Sequence, residues 1–221
     1  MIQSSDQIIT SAPDLNEICK GISKKNNCTY ICASINTDRF SKIKQHLKSE
    51  ILTIGWTGTF SSNEYLKLVE PVFQELAKIR KFKLRIIGNF EYNLPGVNTE
   101  VIEWSKKSEI SDLMGIDIGF YPLPNEDEWV LGKSGLKALQ YMALGIPTVA
   151  SKCGNTPSII KNMENGILVE NTKEDWLNAF ITLLDNKELR TYLGKNGKNT
   201  VNKNYTVKVL SNKYLNVLKS V

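Results

Sequence analysis

The residues best equipped for chemistry lie within 132–151, GKSGLKALQYMALGIPTVAS. Lys133, Ser134, Gly135 and Leu136 stand at the mouth of an apolar helical pattern. The first N–H groups of a helix lack partners there, and the helix dipole is positive. Such a helix start can hold an anion, phosphate above all. Lys133 and Lys137 are four residues apart and share a helix face, so both can neutralise the same anion. Gln140, three residues further on, brings an amide to that face, suited to a sugar hydroxyl. Plainer readings stand beside these: lysines are common at exposed helix starts, and a glutamine can be a satisfied polar group in a core. Gly58 and Thr59 lie in a second stretch, 55–59 (GWTGT), which reads as a glycine loop after a strand. It is either a backbone cradle for a phosphate or a tight turn with no ligand.

Elsewhere the chemistry is sparse. Asp127, Glu128 and Trp129 offer an acid, a base and a stacking platform. A solvated acidic loop with one buried tryptophan is the preferred reading. Asp117 falls inside a strand pattern and reads as a structural hydrogen-bonding group. No nucleophile–base pair, catalytic histidine or metal cluster is present, so no catalytic and no metal-ligating residue is assigned. Cys19, Cys28, Cys32 and Cys153 have neither disulfide nor zinc spacing, and the only histidine, His46, is remote. Free thiols in a reducing cytoplasm follow.

These groups must be positioned by the surrounding elements. Residues 7–10 and 29–33 read as strands around a helix at 15–22, and the lysine-rich piece up to 50 as a linker. From 51 onward strand and helix patterns alternate. Strands are expected at 51–55, 83–88, 101–104, 116–121, 148–150 and 167–169. A helix with apolar residues at 3.6-residue spacing is expected over 65–79, capped by Ser61 with Glu64. A short helix is expected over 107–114. Gly145 and Pro147 end the helix of the opening stretch. Thr172 caps another helix, and two more run near 187–203 and 206–220. Alternation at this spacing predicts an α/β doubly wound parallel sheet, with ligands beyond the C-terminal strand ends.

The chain has 221 residues, 41% hydrophobic and 23% charged, which suits a globular protein. Net charge is +5, from 28 basic and 23 acidic side chains. That permits an anionic ligand. Nucleic acid is disfavoured, because no dense basic run interleaves with aromatics. No apolar run reaches the ~20 residues of a membrane span. The N-terminal residues lack the pattern of a signal peptide. A cytoplasmic location is therefore expected. Contact with the inner face of a membrane through the lysine-bearing tail is the less favoured reading, behind interdomain packing.

In order, GWTGTFSSNEYLKLVEPVFQELAK, KLRIIGNF, EWSKKSEISDLMGIDIGFYPL, GKSGLKALQYMALGIPTVASKCGNTPSII and NGILVEN resemble the C-terminal, donor-binding domain of GT-B glycosyltransferases. The closest resemblance is to the retaining group 1 (family 4) type. LRTYLGKNGKNTVNKNYTVKVLSNKYL is similar to that family's tail, and 1–50 to the end of its N-terminal domain with the linker. The resemblance implies a remnant of an acceptor domain at 1–50, a Rossmann-like domain at 51–205 and a cross-over helix at 206–221. It implies a nucleotide-diphosphate sugar, UDP- or GDP-linked, as donor substrate and no separate cofactor. Gly58, Thr59, Lys133, Ser134, Gly135, Leu136, Lys137 and Gln140 become its binding residues, with backbone near 88–90 or 102–104 holding the base. The acceptor, a cell-surface glycan or lipid, would belong to an N-terminal domain supplied in cis or by another chain. The sequence departs from the family pattern. Gly132 and Gln140 stand where it usually has glutamates, and Thr59 and Asn63 stand near its usual arginine and lysine. The alternative is an inactive nucleotide-sugar-binding or scaffold module.

Overall fold

The computed structural model describes residues 1–23, 25–42 and 51–220. The linker expected over 43–50, with His46, and the last residue of the C-terminal helix pattern, Val221, lie outside the described residues. β1 (Ile8–Thr10) and β2 (Cys28–Tyr30) pair in parallel as a sheet of their own, connected by α1 (Pro13–Ser23). The main sheet has β3 (Leu52–Thr57), β4 (Phe82–Ile87), β5 (Thr99–Ile102), β6 (Ile118–Tyr121), β7 (Thr148–Ser151) and β8 (Ile167–Val169). All its ladders are parallel, in the order β5-β4-β3-β6-β7-β8. The connecting helices are α2 (Glu70–Ile79), α3 (Glu109–Met114), α4 (Leu136–Ala143), α5 (Thr156–Ile159), α6 (Lys173–Asp185), α7 (Lys187–Asn204) and α8 (Val207–Leu218).

This is the doubly wound α/β architecture expected from the strand–helix alternation. The chain enters at β3 in the middle, builds outward to β5, then returns to the other side of β3 with β6. That reversal leaves a crevice beyond the C-terminal ends of β3 and β6. Both faces of the sheet are covered, so the inner strands β3, β6 and β7 are buried throughout rather than alternating, while the edge strand β5 is not. On one face Phe73 of α2 lies 5.1 Å from both Phe120 and Phe180, and Trp176 stands 5.6 Å from Phe180. On the other, α4 packs between the sheet and α7, burying Leu139, Tyr141, Met142 and Val201. After α7 the backbone of Tyr205 and Val207 bonds to Ile35, and Gln7 Nε2 donates to Ser220 Oγ at 3.3 Å. The C-terminal helix thus runs back against the first forty residues. Among the described residues, no helix is long and apolar enough to cross a membrane.

Three local expectations are corrected. Residues 55–57 are strand and not loop, because the β3–β4 ladder continues to Thr57 opposite Ile87. Gly55 serves close packing there, since a Cβ would run into the Ile116 side chain. Thr59, not Ser61, caps the following turn, with Ser62 Oγ accepting from the Thr59 N–H at 3.2 Å. The helix expected over 65–79 is divided into a 3-10 segment, Phe60–Leu68, and α2, because Pro71 has no N–H to continue a helix and suits only a first turn. Asp117 does the structural work expected of it: its Oδ2 accepts from the Thr53 N–H at 2.9 Å.

The seating of α4 on the sheet depends on Gly119 of β6, where a Cβ would stand 2.7 Å from the Tyr141 ring. Gly119→Ala is expected to cost about 1–3 kcal/mol through overpacking. Urea titration should show a lower midpoint with an unchanged slope.

Candidate functional site

The crevice at the sheet reversal holds a cavity of about 370 Å³. Thr57, Gly58 and Thr59 line it from the end of β3, and Tyr121 from the end of β6. Lys133, Ser134, Leu136, Lys137 and Gln140 line it from α4 and the approach to it, with Trp104 and Glu109 opposite. The structure therefore brings the predicted group together. Gly135 is the exception, since it is buried behind the lining.

Gly135 sets the geometry of the helix start. It is the N-cap of α4 with φ +76°, a left-handed conformation that favours glycine, and a Cβ there would run into Ile159. It brings no capping side chain, so the first N–H groups of α4 are left for another partner. The loop is held from behind. Asn155 Nδ2 donates to the Ser134 carbonyl at 2.9 Å and to the Ser11 carbonyl at 3.2 Å, while its Oδ1 accepts from the Tyr30 hydroxyl at 3.0 Å. At the far end the N–H groups of Gly145 and Ile146 return to the carbonyls of Met142 and Tyr141, both at 3.0 Å, which is a Schellman closure. Gly145 therefore ends the helix as expected. Gly58 must also be glycine: a Cβ would strike the Trp56 ring.

The charges face aromatic rings. Lys137 Nζ lies 5.8 Å from the ring centroids of both Trp56 and Tyr121, and Lys133 Nζ lies 5.3 Å from that of Tyr65. Among the described residues neither lysine has a salt-bridge partner. Burial, and then the nearby Lys133 charge, push the Lys137 ammonium down to about 8 from its ordinary 10.5. An anion in the cavity would reverse both effects. On the side toward Gln140, the Glu109 carboxylate is buried and accepts from Gln140 Nε2 at 3.1 Å and from Trp104 Nε1 at 3.3 Å. Its other oxygen is paired with Arg39 at 2.6 Å.

Asp127 and Trp129 do not join this group. Asp127 accepts from the Tyr65 hydroxyl at 2.6 Å and from the Trp129 N–H at 2.9 Å, which pins the loop ahead of α4. Trp129 is 82% exposed, which corrects the expectation of a buried ring. Asn63 lies outside the cavity lining. The residues that sequence reasoning left out are Glu109 and Tyr121. Tyr121 was discoverable as the last residue of a strand beside the crevice. Glu109 reads as an ordinary acid in the first turn of a helix. Among the described residues no group of three or more His, Cys, Asp or Glu is placed to hold a metal.

The family described as "Glycosyl transferases group 1" matches residues 38–200. An uncharacterized glycosyltransferase of Methanocaldococcus jannaschii is 37% identical over 65 residues, 29% of this chain and 18% of the relative. The sulfoquinovosyl transferase of Arabidopsis thaliana is 26% identical over 161 residues, 67% of this chain and 29% of the relative. This chain thus corresponds to less than a third of either relative. Among solved structures, sucrose-phosphate synthase from Thermosynechococcus elongatus superposes with TM-score 0.79 at 16% identity, covering 99% of this chain and 59% of that one. Anabaena HepE in complex with UDP and glucose superposes with TM-score 0.74 at 12% identity, covering 98% and 64%. Both are likenesses of fold.

The Lys137 environment yields a pH prediction. The folded chain holds that proton less tightly than the unfolded chain, so the burial cost is fully present below about 8 and fades as pH rises toward 10.5. Anion binding needs the charged form. Affinity for sulfate, which does not itself titrate in this range, should fall as pH rises through about 8. In Lys137→Met that dependence should disappear, and the variant should melt a few degrees higher than the parent at pH 7. Calorimetry and thermal denaturation check the two halves.

Proposed function

The chain belongs to the group 1 glycosyl transferases, and we propose that it binds the donor: a sugar on a nucleoside diphosphate of the UDP or GDP class, destined for a glycan or lipid acceptor. One observation carries this reading. An uncapped helix start and two lysines that form no salt bridge among the described residues converge on a cavity at the sheet reversal. HepE, the Anabaena neighbour of the same fold, was solved with UDP and glucose.

In this reading the N–H groups at 134–136 face the diphosphate, and Lys133 and Lys137 supply the charge. Breaking the sugar–phosphate bond leaves an extra negative charge on the departing diphosphate. Preorganised N–H groups and ammonium ions in a water-poor crevice stabilise that charge more than they stabilise the bound donor. Gln140 takes the ribose. In this reading the base rests against Trp104, which lines the cavity, and the backbone of 102–104. Residues 51–205 form the donor domain, 1–50 belong with an acceptor domain, and the helix after 206 ties the two together. Activity on the acceptor then requires that second domain, in cis or on another chain.

A module that binds donor without transfer is favoured by one feature: Gly132 and Gln140 in place of the two glutamates. At Gly132 sterics do not explain the loss, since a Cβ would meet only Leu15, at 3.9 Å.

Calorimetry with UDP and GDP tests the donor reading. The parent chain should bind at least one of them. Lys133→Ala/Lys137→Ala should lose about 10- to 100-fold in affinity, the worth of one to two charge-assisted hydrogen bonds. No binding by the parent, or equal binding by the double variant, would sink it.

A further inference from the structure

Gln140 is not an isolated amide. Its Nε2 donates to Glu109 Oε1, an acceptor with no hydrogen to give while it is paired with Arg39. That pairing settles the orientation of the amide, since only its nitrogen can face a carboxylate. Gln140 Oε1 must therefore turn away from Glu109. Among the described residues no hydrogen bond occupies it. Glu109 in turn is fixed by three donors: the Gln140 amide and the Trp104 indole on one oxygen, and the Arg39 guanidinium on the other. Arg39 is itself held by the Lys106 carbonyl at 2.9 Å. A buried carboxylate with this many partners is an anchor.

We infer that Glu109 is the positioning residue of the polyol end of the cavity. It locks the Gln140 amide so that Oε1 is presented as a ready acceptor for a vicinal diol, the ribose of the bound nucleotide. This deepens the donor reading and rests on it. Lys137 and Gln140 lie three residues apart on α4, with Lys133 in the extended backbone just ahead of its start, so anion and diol would be gripped about one helical turn apart. The pair also accounts for the glutamine. A glutamate at 140 would place two carboxylates about 3 Å apart, and one of them would have to take a proton. With a carboxylate already at 109, position 140 has to donate toward it.

The test compares UDP and GDP with their 2′,3′-dideoxy analogues by calorimetry, with inorganic pyrophosphate as a probe of the anion end alone. The parent should prefer the ribose form by about threefold to tenfold, the worth of one hydrogen bond. Glu109→Ala should bring that preference close to unity and leave pyrophosphate binding within about twofold. Gln140→Glu alone should weaken nucleotide binding roughly tenfold through like-charge repulsion. Glu109→Gln combined with Gln140→Glu exchanges donor and acceptor and should recover most of the loss, which a fold-damaging variant would not do. An unchanged ribose preference in Glu109→Ala, or binding by Gln140→Glu equal to the parent, overturns the pair while the donor reading stands. Absence of binding by the parent overturns both.

Discussion

The site depends on a helix start that is rigid and yet left open. A helix end normally satisfies its first N–H groups with a side chain, as Thr172, Asn186 and Thr206 do for α6, α7 and α8. At α4 the cap is a left-handed glycine, and the support is moved to the back of the loop. Asn155 bonds the Ser134 carbonyl, Ile159 fills the space a Cβ would need, and Gly119 lets Tyr141 settle on the sheet. Tyr141 in turn accepts the Thr57 N–H through its hydroxyl at 2.9 Å, so the end of β3 and the start of α4 are held in register. Each contact is made from outside the cavity. The N–H groups are left without a capping side chain at a start whose backbone is already fixed, so a ligand bound there would require little reorganisation.

Charge makes the second constraint. Lys137 sits among Trp56, Tyr121 and Lys133 with its ammonium pushed down by burial. Ring faces offset only part of the lost hydration. The cation is therefore held at a cost to folding, a common trade where a binding site requires unmatched charge. Glu109, at the start of α3, shows the opposite treatment: a buried carboxylate saturated by donors, costing far less because it is paired. One charge faces only aromatic rings and a like charge, and the other is already satisfied by its neighbours.

The sheet and the helix start were legible in the sequence because both are local. Strand–helix alternation and the Gly145–Pro147 stop each reflect rules that operate within a turn or two. The helix face expected to be shared by Lys133 and Lys137 does not form: Lys133 lies in extended backbone ahead of α4 and only Lys137 is on the helix, although both line the cavity. Boundaries failed where packing overrode local cues. Trp56 and Thr57 read as loop but continue the β3–β4 ladder, and Pro71 cuts a helix whose apolar period is continuous. The Glu109–Gln140 pair was out of reach for a different reason. Its members are 31 residues apart on different helices, and neither has an unusual neighbour in sequence. Only the register of β6 against β3, which brings α3 and α4 together at one end of the sheet, makes them partners.

The cavity is not the property of the main sheet alone. Arg39 holds Glu109, and Ser11 and Tyr30 share Asn155 with the α4 loop. Each of these comes from the first forty residues, which also carry the Ile35 bridge to Thr206. Linkage is reciprocal: a ligand that tightens Gln140 or the Ser134 loop must stabilise the seating of that segment by the same free energy with which the seating favours the ligand. If the segment shifts, Glu109 loses its charge partner and becomes a buried, partly unmatched carboxylate, and the Gln140 amide loses its fixed anchor. Order at the N-terminal segment and order in the cavity are therefore one equilibrium, joined by a guanidinium on one side and an asparagine on the other.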